Sequence, residues 1–327
     1  LETDLAPSAL ERQTPTLTLQ DLHIGAGTLR RAALSLQGPL EKANLEISIS
    51  GIAGSPFQFS THGRLNVTPA RQRLVLTSGN GNYGPLSFDW ETAVAATRTQ
   101  KTLSVNAPAV QLGGGGLELS LQKSAETIDG SLLVEKVALQ RLPFATRMPA
   151  GTLSATLDLD GTLAAPRARI SADLQDLKPI GVASELWSPV TVTVDGGYKE
   201  ERLTATLSGK NEAGDSLEGD ADLTAEWTLT PFRFEPRGNL KASVRIDSEI
   251  ATFSPLFLPP DQRLTGTANG TIEISGPLPV PAVTGSIELT EGRYENSATG
   301  TLLDHLAATC QARDHSLEIE TFRAEDG

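Results

Sequence analysis

From Thr14 onward, apolar and polar residues alternate almost without interruption. Leu17/Leu19, Leu34/Leu36, Leu45/Ile47/Ile49, Phe57/Phe59, Leu65/Val67, Leu74/Leu76 and Leu86/Phe88/Trp90 occupy every second position of their runs. A period of two is that of a strand with one apolar and one wet face. It continues through Leu103/Val105, Leu117/Leu119/Leu121 and Val137/Leu139, then Val190/Val192/Val194, Leu203/Ala205/Leu207, Leu223/Ala225/Trp227/Leu229, Phe232/Phe234 and Leu240/Ala242/Val244/Ile246. Turn chemistry between the runs predicts reversals at Gly51 to Gly54, Thr61 to Gly63, Thr68-Pro69, Gly79 to Asn82 and Asp195 to Gly197. Short strands joined in order by tight turns predict an all-β antiparallel meander. About 20 to 25 strands at about 4.8 Å spacing would make a ladder on the order of 100 Å long.

One strand-turn-strand unit recurs. Gly151-Thr-Leu-Ser-Ala-Thr-Leu-Asp-Leu-Asp-Gly161-Thr-Leu-Ala-Ala-Pro166 returns as Gly266-Thr-Ala-Asn-Gly-Thr-Ile-Glu-Ile-Ser-Gly276-Pro-Leu-Pro-Val-Pro281, displaced by 115 positions (276 minus 161). Leu157 then matches Ile272, Leu159 matches Ile274, Pro166 matches Pro281 and Leu174 matches Leu289. A fainter copy runs from Gly27 to Leu40, with Ala43 in the place of the proline. Self-similar units stack on their neighbours, so length alone does not set the number of domains. Two stretches, Leu139 to Pro149 and Ile250 to Asp261, break the alternation just before each clear copy. They predict loops or short helical turns that close one module and open the next. The expected organisation is a lead-in over 1–13, with at most a helical turn around Pro7 to Glu11, then modules over 14–128, 129–237 and 238–327.

Composition sharpens the apolar face. Hydrophobic residues make up 39% of the 327 but aromatics only 5%, with one Met, so the face is aliphatic. A net charge of -13 argues against nucleic acid, which needs a cationic surface, and against docking on anionic headgroups. The single cysteine, Cys310, excludes an intrachain disulfide and a Cys-based zinc site, and its parity puts it on the apolar side with Leu306, Ala308 and Ala312. No window has the 18 or more apolar residues of a membrane span, and residues 1–20 lack a signal-like pattern. The chain reads as a piece of something longer, with any anchor outside it.

So large an apolar face has to be covered, because soluble proteins seldom expose more than a few hundred Å² of contiguous apolar surface. The sheet must curl on itself, pack on another sheet, or hold an apolar guest. The third choice predicts a sheet folded lengthwise into an aliphatic groove.

The phrase Gly-x-Leu-x-Ala-x-Leu-x-Leu-x-Gly-Thr-Leu-x-x-Pro at 151–166, its copy at 266–281 and the sequel Gly285-Ser-Ile-Glu-Leu-Thr-Glu-Gly-Arg-Tyr294 resemble the repeats of the TamB family and, in style, of AsmA-like proteins. The likeness is strongest over 129–177 and 238–312. It implies a periplasmic, elongated, curved antiparallel sheet with a taco-like hydrophobic groove, anchored in the inner membrane by a segment outside this chain. It also implies a partner barrel of the TamA type in the outer membrane, met through other parts of the full-length protein. Phospholipid transport between membranes and support of outer-membrane biogenesis, including protein secretion, follow from the same resemblance.

An aliphatic groove suits that cargo. Each methylene withdrawn from water is worth about 0.8 kcal/mol, so two acyl chains would cost on the order of 20 kcal/mol in water. A continuous apolar trough makes transfer from a membrane nearly neutral, with no catalysis. The expected lining is Leu153, Leu157, Leu159, Ile170, Leu174, Val192, Val194, Leu203, Leu207, Val244, Ile246, Ile272, Ile274, Ile287 and Leu289. An ordinary packed core has the same parity. The rival function is a scaffold that offers a strand edge to outer-membrane proteins. A polysaccharide-binding β-helix would want more aromatic platforms than this composition supplies.

Other signals carry less. Gly79-x-Gly81-x-x-Gly84 matches a dinucleotide fingerprint but precedes another strand-like run instead of a helix. Gly113 to Gly116 lacks the Lys-Ser/Thr of a P-loop and predicts a strand bend. Asp158-x-Asp160-Gly161 would place Thr156 and Arg167 at the first and twelfth positions of a calcium loop, where carboxylates belong. His23, His62, His305 and His315 share no ligand spacing, and Asn66-x-Thr68 and Asn269-x-Thr271 match the glycosylation sequon at chance frequency. No metal, cofactor or catalytic set is expected.

Overall fold

The computed structural model describes residues 16–24, 27–142, 150–178, 189–254, 258–259, 261–278, 280–313 and 316–326. The expected lead-in, with its helical turn, lies outside them. The chain is all-β, with twenty-one strands and only isolated 3-10 turns among the described residues. Two compact units divide it, Leu1–Thr146 with Asp158–Thr162, and Arg147–Leu157 with Leu163–Gly327.

The first unit holds β1 (Thr16–Ile24), β2 (Gly27–Gln37), β3 (Ala43–Ala53), β4 (Ser55–Val67), β5 (Arg71–Tyr83), β6 (Leu86–Trp90), β7 (Val94–Thr99), β8 (Leu103–Leu112), β9 (Gly115–Lys123) and β10 (Thr127–Ala138). They pair antiparallel in chain order, except that β6 and β7 share the two halves of β5 and both hand on to β8. Strand β11 (Ala150–Thr162) contributes its last residues to this unit and the rest to the second.

The second unit continues with β12 (Pro166–Lys178), β13 (Val190–Lys199), β14 (Arg202–Asn211), β15 (Ser216–Leu229), β16 (Phe232–Pro236), β17 (Asn239–Glu249), β18 (Gln262–Pro277), β19 (Ala282–Asn296), β20 (Thr301–Arg313) and β21 (Ser316–Asp326). Again the order is sequential and antiparallel, but β15 is long enough to pair with β17 along its first half and with β16 along its second.

Three expected reversals are strand instead. Gly79 to Asn82 runs inside β5, Thr61 to Gly63 inside β4 with a register shift at His62/Gly63, and Asp195 to Gly197 inside β13. The glycines at Gly79 and Gly81 clear space for rings on the next strand. A Cβ would fall 2.3 Å from the Trp90 ring at Gly79 and 2.6 Å from Phe88 at Gly81. Phe59 completes an aromatic pavement, with centroids 5.9 Å from Trp90 and 6.2 Å from Phe88. The actual reversals fall at Gly84-Pro85 and at Glu200-Glu201, where both glutamates have positive φ. Gly113 and Gly114, expected to bend a strand, form the turn between β8 and β9.

The 115-residue repeat is visible in the backbone. Gly161 and Gly276 share φ near +107 and +106, and Asp176 and Glu291, also 115 apart, are both positive-φ residues within strands. Each sits in a register shift, between Leu174 and Leu177 and between Leu289 and Gly292. Such bulges insert one residue and bend the strand. The two stretches that break the alternation carry 3-10 turns at Leu139–Arg141 and Ile250–Thr252, each led by a buried apolar residue.

Candidate functional site

Directly paired residues of antiparallel strands point to the same face, so the registers build the second unit's surface row by row. Ala172, Val194, Leu207, Gly219, Val244, Ile272 and Gly285 face one another in sequence from β12 to β19. The adjacent row is Leu174, Val192, Gly209, Leu217, Ile246, Gly270, Ile287 and Cys310, and a third runs from Ile170 through Gly196, Ala205, Ala221 and Ala242 to Ile274. Leu203 pairs with Tyr198 and Leu223, and Leu289 with Ala268 and Ala308. Twelve of the fifteen expected lining residues therefore share one aliphatic face. Leu153, Leu157 and Leu159 share one parity of β11, with Leu159 in the segment grouped with the first unit.

That face is not sealed. None of the fifteen is fully buried, and Ile170, Leu207 and Val244 are 44%, 36% and 41% exposed. Burial is concentrated at its two margins. At one, Tyr198 (5%) lies beneath the second half of β15, donating to the Ala225 carbonyl at 3.0 Å and accepting from the Trp227 amide at 3.0 Å. The Tyr198 and Trp227 rings meet edge to face at 5.2 Å. At the other margin Leu177, Val190, Ser248, Ile250, Phe253 and Ala268 are buried around the Ile250–Thr252 turn.

The opposite face is polar. Thr193 donates to Asp173 at 2.8 Å, Arg202 pairs with Asp222, Ser243 donates to Asp220, and a shallow hollow is lined by Thr206, Ser208, Glu218, Arg245, Thr271 and Glu273. The Arg202 side chain, hydrogen bonding and close in charge, holds the Asp222 carboxyl below its ordinary range. Among the described residues, no group of three or more His, Cys, Asp or Glu is placed to hold a metal ion. His62 and His305 are exposed and lie 3.6 and 3.4 Å from Glu46 and Glu325.

Against known proteins, a family model described as the TamB C-terminal domain matches residues 109–303, more than half of the chain. The chain belongs to the TamB family. No curated protein and no solved structure matches it. TamB-family proteins are cell-envelope proteins with a role in outer-membrane assembly, and as a class they serve transport and assembly without enzymatic chemistry. No helix among the described residues is long and apolar enough to cross a membrane.

Two parts of this TamB-family face escape a count of bulky aliphatic residues. Gly196, Gly209, Gly219 and Gly270 belong to its rows, and bulky neighbours lean into the space they leave: a Cβ at Gly270 would fall 3.0 Å from the Ile287 side chain. Their in-strand parity was the available signal. The first unit carries its own face of the same kind, with Leu19, Ala32, Ile49, Phe59, Gly81 and Phe88 in one row and Leu17, Leu34, Ile47, Thr61, Gly79 and Trp90 in the next.

Proposed function

We propose that each of the apolar faces of this TamB-family chain lines a groove that holds or conducts phospholipid acyl chains across the periplasm, between the inner and outer membranes. The observation that carries this reading is the row structure of the second unit. Aliphatic and glycine positions succeed one another across eight strands, and none of the bulky ones is fully buried. A packed core would remove such side chains from water; a face awaiting an apolar guest would not. The guest's chains would replace water on this face at about 25 cal/mol per Å², while the headgroup stays in solvent. Partnership with a TamA-type barrel belongs to the same proposal.

The rival reading, a scaffold that pairs with strands of outer-membrane proteins, draws on β21, whose Ile319 and Phe322 are 62% and 55% exposed. Native mass spectrometry with lipid extraction separates the two. Leu207→Asp and Val244→Asp place a carboxylate on already exposed positions of the face, so the fold should persist. Bound phospholipid should fall at least about tenfold, since a charge against acyl chain is costly, with the β-sheet circular dichroism unchanged. Lipid-free wild-type protein, or lipid held equally by both variants, would favour the scaffold.

A further inference from the structure

We propose that the Ile250–Thr252 turn with Phe253 is a built-in plug of the second unit's apolar face, latched by Asp215 and displaced when an acyl chain enters. This rests on the groove reading. The position of the ring follows from the register. Gly209 lies between Val192 and Leu217 in an apolar row, so a Cβ there would point to the apolar side, and it would meet Phe253 Cε1 at 3.4 Å. Phe253 therefore rests on the face itself, 3% exposed, with Ile250 at 8% beside it. The chain's own side chains occupy the place that a guest would take.

The latch is polar and local. Asp215 Oδ1 accepts from the Glu249 amide at 2.7 Å, while Oδ2 accepts from Asn211 Nδ2 at 2.7 Å and from the Thr252 hydroxyl. Glu249 in turn accepts from the Gly266 amide at 2.7 Å, and Ser254 donates to the Leu264 carbonyl at 2.9 Å. Exchanging a phenyl ring for an acyl chain on an aliphatic surface trades one apolar contact for another. These hydrogen bonds, most of them made to Asp215, are thus what biases the turn toward the face, and a guest must outweigh them.

The test uses the whole chain with pyrene-labelled dodecanoate as probe, and amide hydrogen exchange at Glu249 and Phe253. Phe253→Ala empties the place on the face; Asp215→Asn keeps the ring and weakens the latch, and so still reports if the alanine variant unfolds. A plug closed about four-fifths of the time lowers apparent affinity about fivefold, so both variants should bind the probe several-fold more tightly. Probe should also speed exchange at the two amides in the wild type. Equal affinity in all three proteins, with exchange unaltered by probe, would overturn the plug and leave the groove reading standing. No binding by any of the proteins would overturn both.

Discussion

A glycine inside a strand ordinarily weakens it, yet at Gly79 the missing side chain is what allows the Trp90 ring to lie over β5. Trp90 is 7% exposed, and its ring occupies the space that a Cβ at Gly79 would enter. Gly79→Ala should therefore destabilise the first unit by about 1 to 3 kcal/mol through overpacking, read as a lower urea midpoint. An alanine in a solvent-facing strand position would have improved it. Gly79 was legible as a glycine but not as a strand residue, because Gly-Asn-Gly-Asn is turn chemistry locally. What overrides it is the ring of Trp90, eleven positions later in sequence and directly opposite across the ladder.

Among elements, the bulged strands of the repeat show which of the glycines shared by its two copies bear most on the fold. Gly266 has φ +113, and a Cβ there would fall 2.7 Å from both the Gly292 Cα and the Thr290 carbonyl oxygen. Gly276 has a similar φ of +106, but its nearest atom would be 3.7 Å away. Replacing either by Ala costs about 1 to 3 kcal/mol of backbone strain. Gly266→Ala adds a clash with backbone that cannot swing aside, so it should lower the thermal midpoint clearly more than Gly276→Ala. Repetition in the sequence marked both glycines alike, at Gly151/Gly266 and Gly161/Gly276. The neighbouring strand distinguishes them.

Across the whole molecule, the acidic balance of -13 is partly engaged in specific contacts. Burial raises the Asp215 carboxyl pKa, but hydrogen bonds from Thr252, the Glu249 amide and Asn211 outweigh it and leave the pKa lowered. Arg202 lowers Asp222, and Arg233, aided by Arg237, lowers Glu235. A carboxylate whose folded pKa is depressed contributes stability that is present above its unfolded value and lost as pH falls through the folded one. Urea midpoints should hold from neutral pH to about pH 5 and decline below about pH 4. Asp215→Asn should flatten part of that decline; an unchanged profile would remove Asp215 from the account.

Alternation with a period of two, an aliphatic composition and a repeated phrase determined the strands, their antiparallel order and an apolar face in each unit, because these depend on each residue's own chemistry and on neighbours close in sequence. The same information puts twelve of the residues expected to line a groove on the apolar parity of their strands, and the registers bring these twelve onto one face of the second unit. Tertiary structure alone decided which glycines are strand, which margins of the face are buried and where Phe253 rests. Those outcomes depend on partners brought together by the ladder, such as Trp90 over Gly79 and Phe253 over Gly209. Parity along a chain records which side a residue faces, but not what meets it there.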